Sequence, residues 1–60
     1  MKKKLLIVED EKNLCVLYKE ELTKEGYKVT TVMDADTALG LIKKQGFDLI
    51  ITDIRMPVKN

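Results

Sequence analysis

Four consecutive apolar residues, Leu5-Leu6-Ile7-Val8, constrain this chain more than any other feature. Strict alternation would leave one face of a strand wet, whereas a continuous apolar run means that both faces are covered, as in a parallel sheet flanked by helices. The run ends at once in Glu9 and Asp10. A second stretch of the same design, Phe47–Pro57, reads F-D-L-I-I-T-D-I-R-M-P. Here Leu49-Ile50-Ile51, bounded upstream by Gly46, leads to Asp53 and then to a proline. Short runs rich in β-branched residues and bounded by glycine read as buried strands. The chain therefore carries two apolar strands, each ending in acid.

The residues between them alternate helix and strand. Asp10 or Glu11 starts a helix reaching about Glu25, on which Leu14, Leu17, Tyr18 and Leu22 form one apolar stripe. Lys12, Lys19 and Glu20 occupy the opposite face, and Gly26 supplies the left-handed residue that ends the helix. Acids in its first turn, Glu11 among them, suit the helix dipole. Tyr27–Val32 then alternates, with Tyr27, Val29 and Thr31 on one face and Lys28, Thr30 and Val32 on the other. Such alternation predicts an edge strand guarded by Lys28. Asp34 is placed to cap a second helix, Ala35 to about Lys44, with Ala38, Leu39, Leu41 and Ile42 inward. Gly40 lies inside it at a cost of about 1 kcal/mol relative to alanine, which close packing would explain. The predicted strands are thus about 4–8, 27–32 and 47–52, and the helices about 11–25 and 35–44.

The order βαβαβ, with crossovers that are right-handed in about 98% of cases, leaves few topologies. If the chain passes from strand one to strand two and returns past strand one to strand three, the order is 2-1-3. The helices then fall one on each face of a parallel α/β sheet. The reversal between strands one and three is a switch point, where open sheets of this kind bind ligands beyond the strands' carboxyl ends. Glu9 and Asp10 end strand one and Asp53 ends strand three, so topology alone directs three carboxylates to one crevice.

Composition removes several function classes. Eleven basic and ten acidic side chains leave a net charge of +1, which gives no field for nucleic acid or anionic membrane. Lys2-Lys3-Lys4 precedes only four apolar residues before Glu9, too few for a signal peptide, and nothing approaches a membrane span. Cys15 is the single cysteine and there is no histidine, which excludes an intrachain disulfide and a zinc-type cluster. Cys15 reads as a small core residue, and the whole as a cytoplasmic chain. A domain of 60 residues buries only about 60% of its unfolded surface, so its stability is marginal.

Crowded carboxylates repel one another unless a cation is shared, and hard oxygen ligands of this kind suit Mg²⁺. A carboxylate beside such an ion is also a nucleophile able to form an acyl phosphate. Asp53, alone at its strand end, is the candidate nucleophile, while Glu9 and Asp10 are the candidate metal holders. Helix caps and loop surface are the plainer role for acids after strands, and Glu11 is assigned to it.

L-L-I-V-E-D-E near the start and D-L-I-I-T-D-I-R-M-P near the end resemble the receiver domain of two-component response regulators. The resemblance extends through the helical segments and the A-D-T-A-L pattern after strand two. It implies the first half of a flavodoxin-like doubly wound sheet, with Asp53 accepting a phosphoryl group from a sensor histidine kinase or phosphotransfer protein. It further implies Mg²⁺ held by Glu9, Asp10, Asp53 and the main-chain carbonyl of Arg55, with Asp10 a direct ligand. Met56 and Pro57 resemble the turn that shapes this loop, whereas Val58 stands where the family usually has glycine.

Receiver domains have five strands in this order, and these 60 residues carry three. The reading is of a truncated receiver domain, residues 1–60, without the Ser or Thr that senses the phosphoryl group and the Lys that pairs with it. Strand three becomes an edge although its run is written for an interior, which predicts pairing with a second copy. One alternative is a fragment or engineered half-domain that self-associates without signalling. Another is an aspartyl-nucleophile phosphatase, which places a second aspartate two residues after the nucleophile, where this chain has Arg55. A nucleotide site of the Gly-rich-loop type lacks its loop after strand one.

Overall fold

A computed structural model describes residues 2–52 of the chain. Strand β1 (Lys4–Val8) is followed by helix α1 (Lys12–Lys24), strand β2 (Lys28–Val32), helix α2 (Ala35–Lys44) and strand β3 (Leu49–Thr52). The strands form one parallel sheet in the order β2-β1-β3, the order expected if the chain returns past strand one. Leu5 stands beside Val29 and Leu49, and Val8 beside Val32 and Thr52.

Continuous apolar sequence in β1 is used on both faces. Leu6 and Val8 pack with Val32, Ala38 and the half-buried Leu41 and Phe47, so α2 covers one side. Leu5 and Ile7 pack with Val29, Leu22 and Tyr27, so α1 covers the other. Alternate residues of one central strand thus anchor two separate cores, one beneath each helix.

Two helix ends carry the signals written for them. Gly26 adopts φ +98°, its N–H donates to the Thr23 carbonyl at 3.0 Å, and the Tyr27 N–H reaches back to the Leu22 carbonyl at 3.2 Å. This paired closure, with Tyr27 and Leu22 in the same core cluster, is the Schellman arrangement. It explains why β2 begins at Lys28 and not at Tyr27, whose N–H is already committed to the helix. At α2, Asp34 Oδ1 accepts the Thr37 N–H at 2.7 Å and Oδ2 the Thr37 hydroxyl at 3.0 Å. The cap expected there is formed.

Four local expectations are corrected. Glu11 is not in the first turn of α1; its backbone is extended at the N-cap and its side chain makes no capping bond. The sheet-facing line of α1 runs through buried Cys15 and half-buried Leu14 and Leu22, leaving Leu17 51% exposed. At 3.6 residues per turn those three span about 100° of the helix surface, and Leu17 falls about 60° outside them. On α2, Ala38 and Leu41 face the sheet while Leu39 and Ile42 are exposed. Gly40 has no atom within 4 Å of where a Cβ would stand, so close packing does not account for it.

Strand β3 starts at Leu49, two residues later than the sequence pattern predicts. Phe47 turns into the core beneath α2, and Asp48 makes the first bonds to β1. Leu49, Ile50 and Ile51 are each 39–54% exposed, which is the apolar edge anticipated for the third strand.

Candidate functional site

The site residues that can be located lie in the turn from β1 to α1. Glu9 continues the ladder beyond Val8, its N–H donating to the Val32 carbonyl at 2.9 Å. It is only 2% exposed, the most deeply buried charged residue among those described. Its Oε2 accepts the Glu11 N–H at 3.1 Å, and its main-chain carbonyl accepts the Cys15 thiol at 3.2 Å. The Glu11 carbonyl in turn accepts the Leu14 and Cys15 N–H groups, both at 3.1 Å. Both the backbone and the side chain of Glu9 therefore tie the turn to the first turn of α1. Asp10, next along, is exposed. One acid of the pair is held inside the fold and the other faces solvent.

Cys15 fills the space beneath this turn. Burial pushes its thiol above the ordinary value of 9.0, and the negative charges of Glu9 and Asp10 push it in the same direction. A neutral thiol bonded to a carbonyl is no ligand for a hard cation, so the chemistry offered here is that of oxygen donors. That donor set fits Mg²⁺, which takes one or two carboxylates and keeps several waters. Among the described residues no group of three or more His, Cys, Asp or Glu side chains that could hold a metal is present.

The third carboxylate, Asp53, lies outside the described residues, as do Arg55, Met56, Pro57 and Val58. Thr52, the last residue of β3, stands beside Val8, the last residue of β1. Glu9 follows Val8 and Asp53 follows Thr52 in the chain.

Two contacts escape the sequence pattern. The thiol–carbonyl bond from Cys15 to Glu9 joins positions with no motif between them. Asp48 accepts the Lys4 N–H on its Oδ2 at 2.7 Å, while its own N–H donates to the Lys4 carbonyl at 2.8 Å. The only available signal for the second was an acid standing immediately before the apolar run of β3. No helix among the described residues is long and apolar enough to cross a membrane.

Comparison with known proteins agrees with this architecture. The profile of the response regulator receiver domain matches residues 5–60. The alkaline phosphatase synthesis transcriptional regulatory protein PhoP of Bacillus subtilis is 37% identical over 57 residues, covering 95% of this chain and 24% of that protein. The transcriptional regulatory protein CpxR of Escherichia coli K12 is 40% identical over 57 residues, 95% of this chain and 24% of that protein. The response regulator ArlR of Staphylococcus aureus is 43% identical over 56 residues, 93% of this chain and 26% of its own length. The chain thus spans about a quarter of the length of these relatives. No solved structure gives a significant match. With its βαβαβ order, acidic turn and family match in agreement, the chain belongs to the receiver domains of two-component response regulators.

Proposed function

We propose that the chain is the phosphoacceptor part of a cytoplasmic signalling module, with Asp53 taking a phosphoryl group from the phosphohistidine of a sensor kinase or phosphotransfer protein. A carboxylate oxygen of Asp53 forms the new bond to phosphorus, and the bond from phosphorus to the donor's imidazole nitrogen breaks. Glu9, Asp10, Asp53 and the Arg55 main-chain carbonyl would hold Mg²⁺. When bound, the ion supplies positive charge to the phosphoryl oxygens. Glu9 is held by its bond from the Glu11 N–H, and exposed Asp10 is open to a solvated ion.

The observation that supports this reading is the register of β1 and β3, which aligns Val8 with Thr52, the residues that precede Glu9 and Asp53 in the chain, at the switch point. A small acyl phosphate with Mg²⁺ should raise the intact mass by one phosphoryl group, and Asp53→Asn should abolish the gain. An unmodified parent chain, or an Asp53→Asn chain modified as fully as the parent, contradicts the proposal.

A second reading concerns assembly and rests on the apolar exposure of edge strand β3. Such an edge pairs readily with another strand, and a second copy in symmetric association satisfies both edges at once. Sedimentation equilibrium should show a mass that rises toward the dimer with concentration. A monomer throughout the range contradicts it.

A further inference from the structure

Strand β3 poses a problem of register. Where apolar and polar residues alternate, a slip of one position moves the apolar set to the wrong face and is penalised. Leu49-Ile50-Ile51 is apolar at each position, and all of these side chains are substantially exposed. A one-residue slip of this strand along β1 exchanges aliphatic side chains at two of these three positions and brings Asp48 or Thr52 to the other. Hydrophobic pattern therefore specifies the register of β3 only weakly.

Asp48 supplies what the pattern lacks. Lys4 is the first residue of β1, and its N–H and carbonyl both meet Asp48: the carboxylate accepts the N–H at 2.7 Å and the Asp48 N–H donates to the carbonyl at 2.8 Å. A single residue thus closes both backbone groups of Lys4, across 44 positions of sequence. The carboxylate bond is specific to position 48, because Phe47 and Leu49 on either side have no acceptor in their side chains. If β3 slipped by one residue in either direction, the Lys4 N–H would lose that acceptor.

We propose that Asp48 is a positioning residue for phosphoryl transfer, locking β3 in register with β1 and so setting where Asp53 begins relative to Glu9 and Asp10. The inference rests on the phosphoacceptor reading above. A slip of one residue displaces Thr52, which Asp53 follows in the chain, by about 3.3 Å along the sheet. A misplacement of about 1 Å is enough to slow a positioned reaction about a hundredfold.

Two measurements on Asp48→Ala and Asp48→Asn test it: hydrogen exchange at the Lys4 amide, and the rate of phosphoryl adduct formation at fixed acyl phosphate and Mg²⁺. Alanine removes the acceptor, and the Lys4 amide should lose protection while adduct formation slows at least about tenfold. Asparagine keeps an acceptor oxygen in place and should hold both within about twofold of the parent. A folded Asp48→Ala chain that reacts at the parent rate overturns the inference. So does an Asp48→Asn chain that reacts tenfold slower than the parent, a result that decides the matter even where the alanine variant does not fold. A parent chain that forms no adduct removes the phosphoacceptor reading, and this inference with it. Adduct formation indifferent to Asp48 removes the inference alone.

Discussion

Truncating Leu6 to alanine should remove most of the stability of this fold. Leu6 is fully buried at the centre of the middle strand, between Thr30 and Ile50, in the cluster with Val8, Val32 and Ala38. The change deletes three carbons, about 2.4 kcal/mol at about 0.8 kcal/mol each. The void that remains raises the total to about 2–5 kcal/mol. At about 0.05–0.15 kcal/mol per residue, a chain of this length has roughly 3–9 kcal/mol to lose. Leu39→Ala is the matched control, because Leu39 is 56% exposed on α2 and its loss should change stability by less than about 0.5 kcal/mol. Urea unfolding followed by far-ultraviolet circular dichroism separates the two. With a slope of about 1 kcal/mol per molar urea, Leu6→Ala should move the midpoint down by about 2 M or abolish the folded baseline. A loss below about 1 kcal/mol, or equal losses at the two positions, would refute the claim that β1 is the pivot on which both cores are built.

The two helix-associated glycines should respond in opposite directions, since Gly26 holds φ +98° at the end of α1 and Gly40 sits in α2 with open space around its Cβ direction. In the same urea assay Gly26→Ala should cost about 1 kcal/mol and Gly40→Ala should add about 0.5–1 kcal/mol. Cys15 gives a pH dependence whose sign follows from its raised thiol. Above about pH 9 the unfolded chain releases the thiol proton while the folded chain retains it, so the unfolded state binds fewer protons and stability falls as pH rises. Below that range both states hold the proton and the thiol contributes no slope. Urea midpoints at about pH 8 and about pH 10 should therefore fall further in the parent chain than in Cys15→Ala, and parallel behaviour would refute the assignment.

Much of the architecture was legible because it depends on few choices. A run of four apolar residues demanded a strand covered on both faces, and with the order taken as β2-β1-β3 crossover handedness placed a helix on each side. Gly26 and Asp34 marked helix ends through backbone chemistry that tolerates few substitutes. The facing of α1 was less legible, because Leu14, Leu17, Tyr18 and Leu22 form as regular a stripe as the one used. Only tertiary contact turns the helix toward Cys15. The depth of Glu9 was hidden for a different reason. An acid after a strand reads as solvent-facing, and the bonds it accepts from the Glu11 N–H and the Cys15 thiol follow no sequence motif. Asp48 was passed over because its bond partner lies at the far end of the chain and is a main-chain group that no side-chain pattern announces. The assignments to Asp53 and Arg55 rest on sequence and family, since both residues lie beyond the described strand end.

The central claim is that Asp53 is the acceptor, and locating the phosphoryl group tests it most directly. The chain would be treated with a small acyl phosphate and Mg²⁺, the aspartyl phosphate reduced with borohydride, and the modified residue identified by peptide mass spectrometry. The account predicts one modified position, Asp53, lost when Mg²⁺ is chelated. Modification at Glu9 or Asp10 instead, or none in the presence of Mg²⁺, would contradict it.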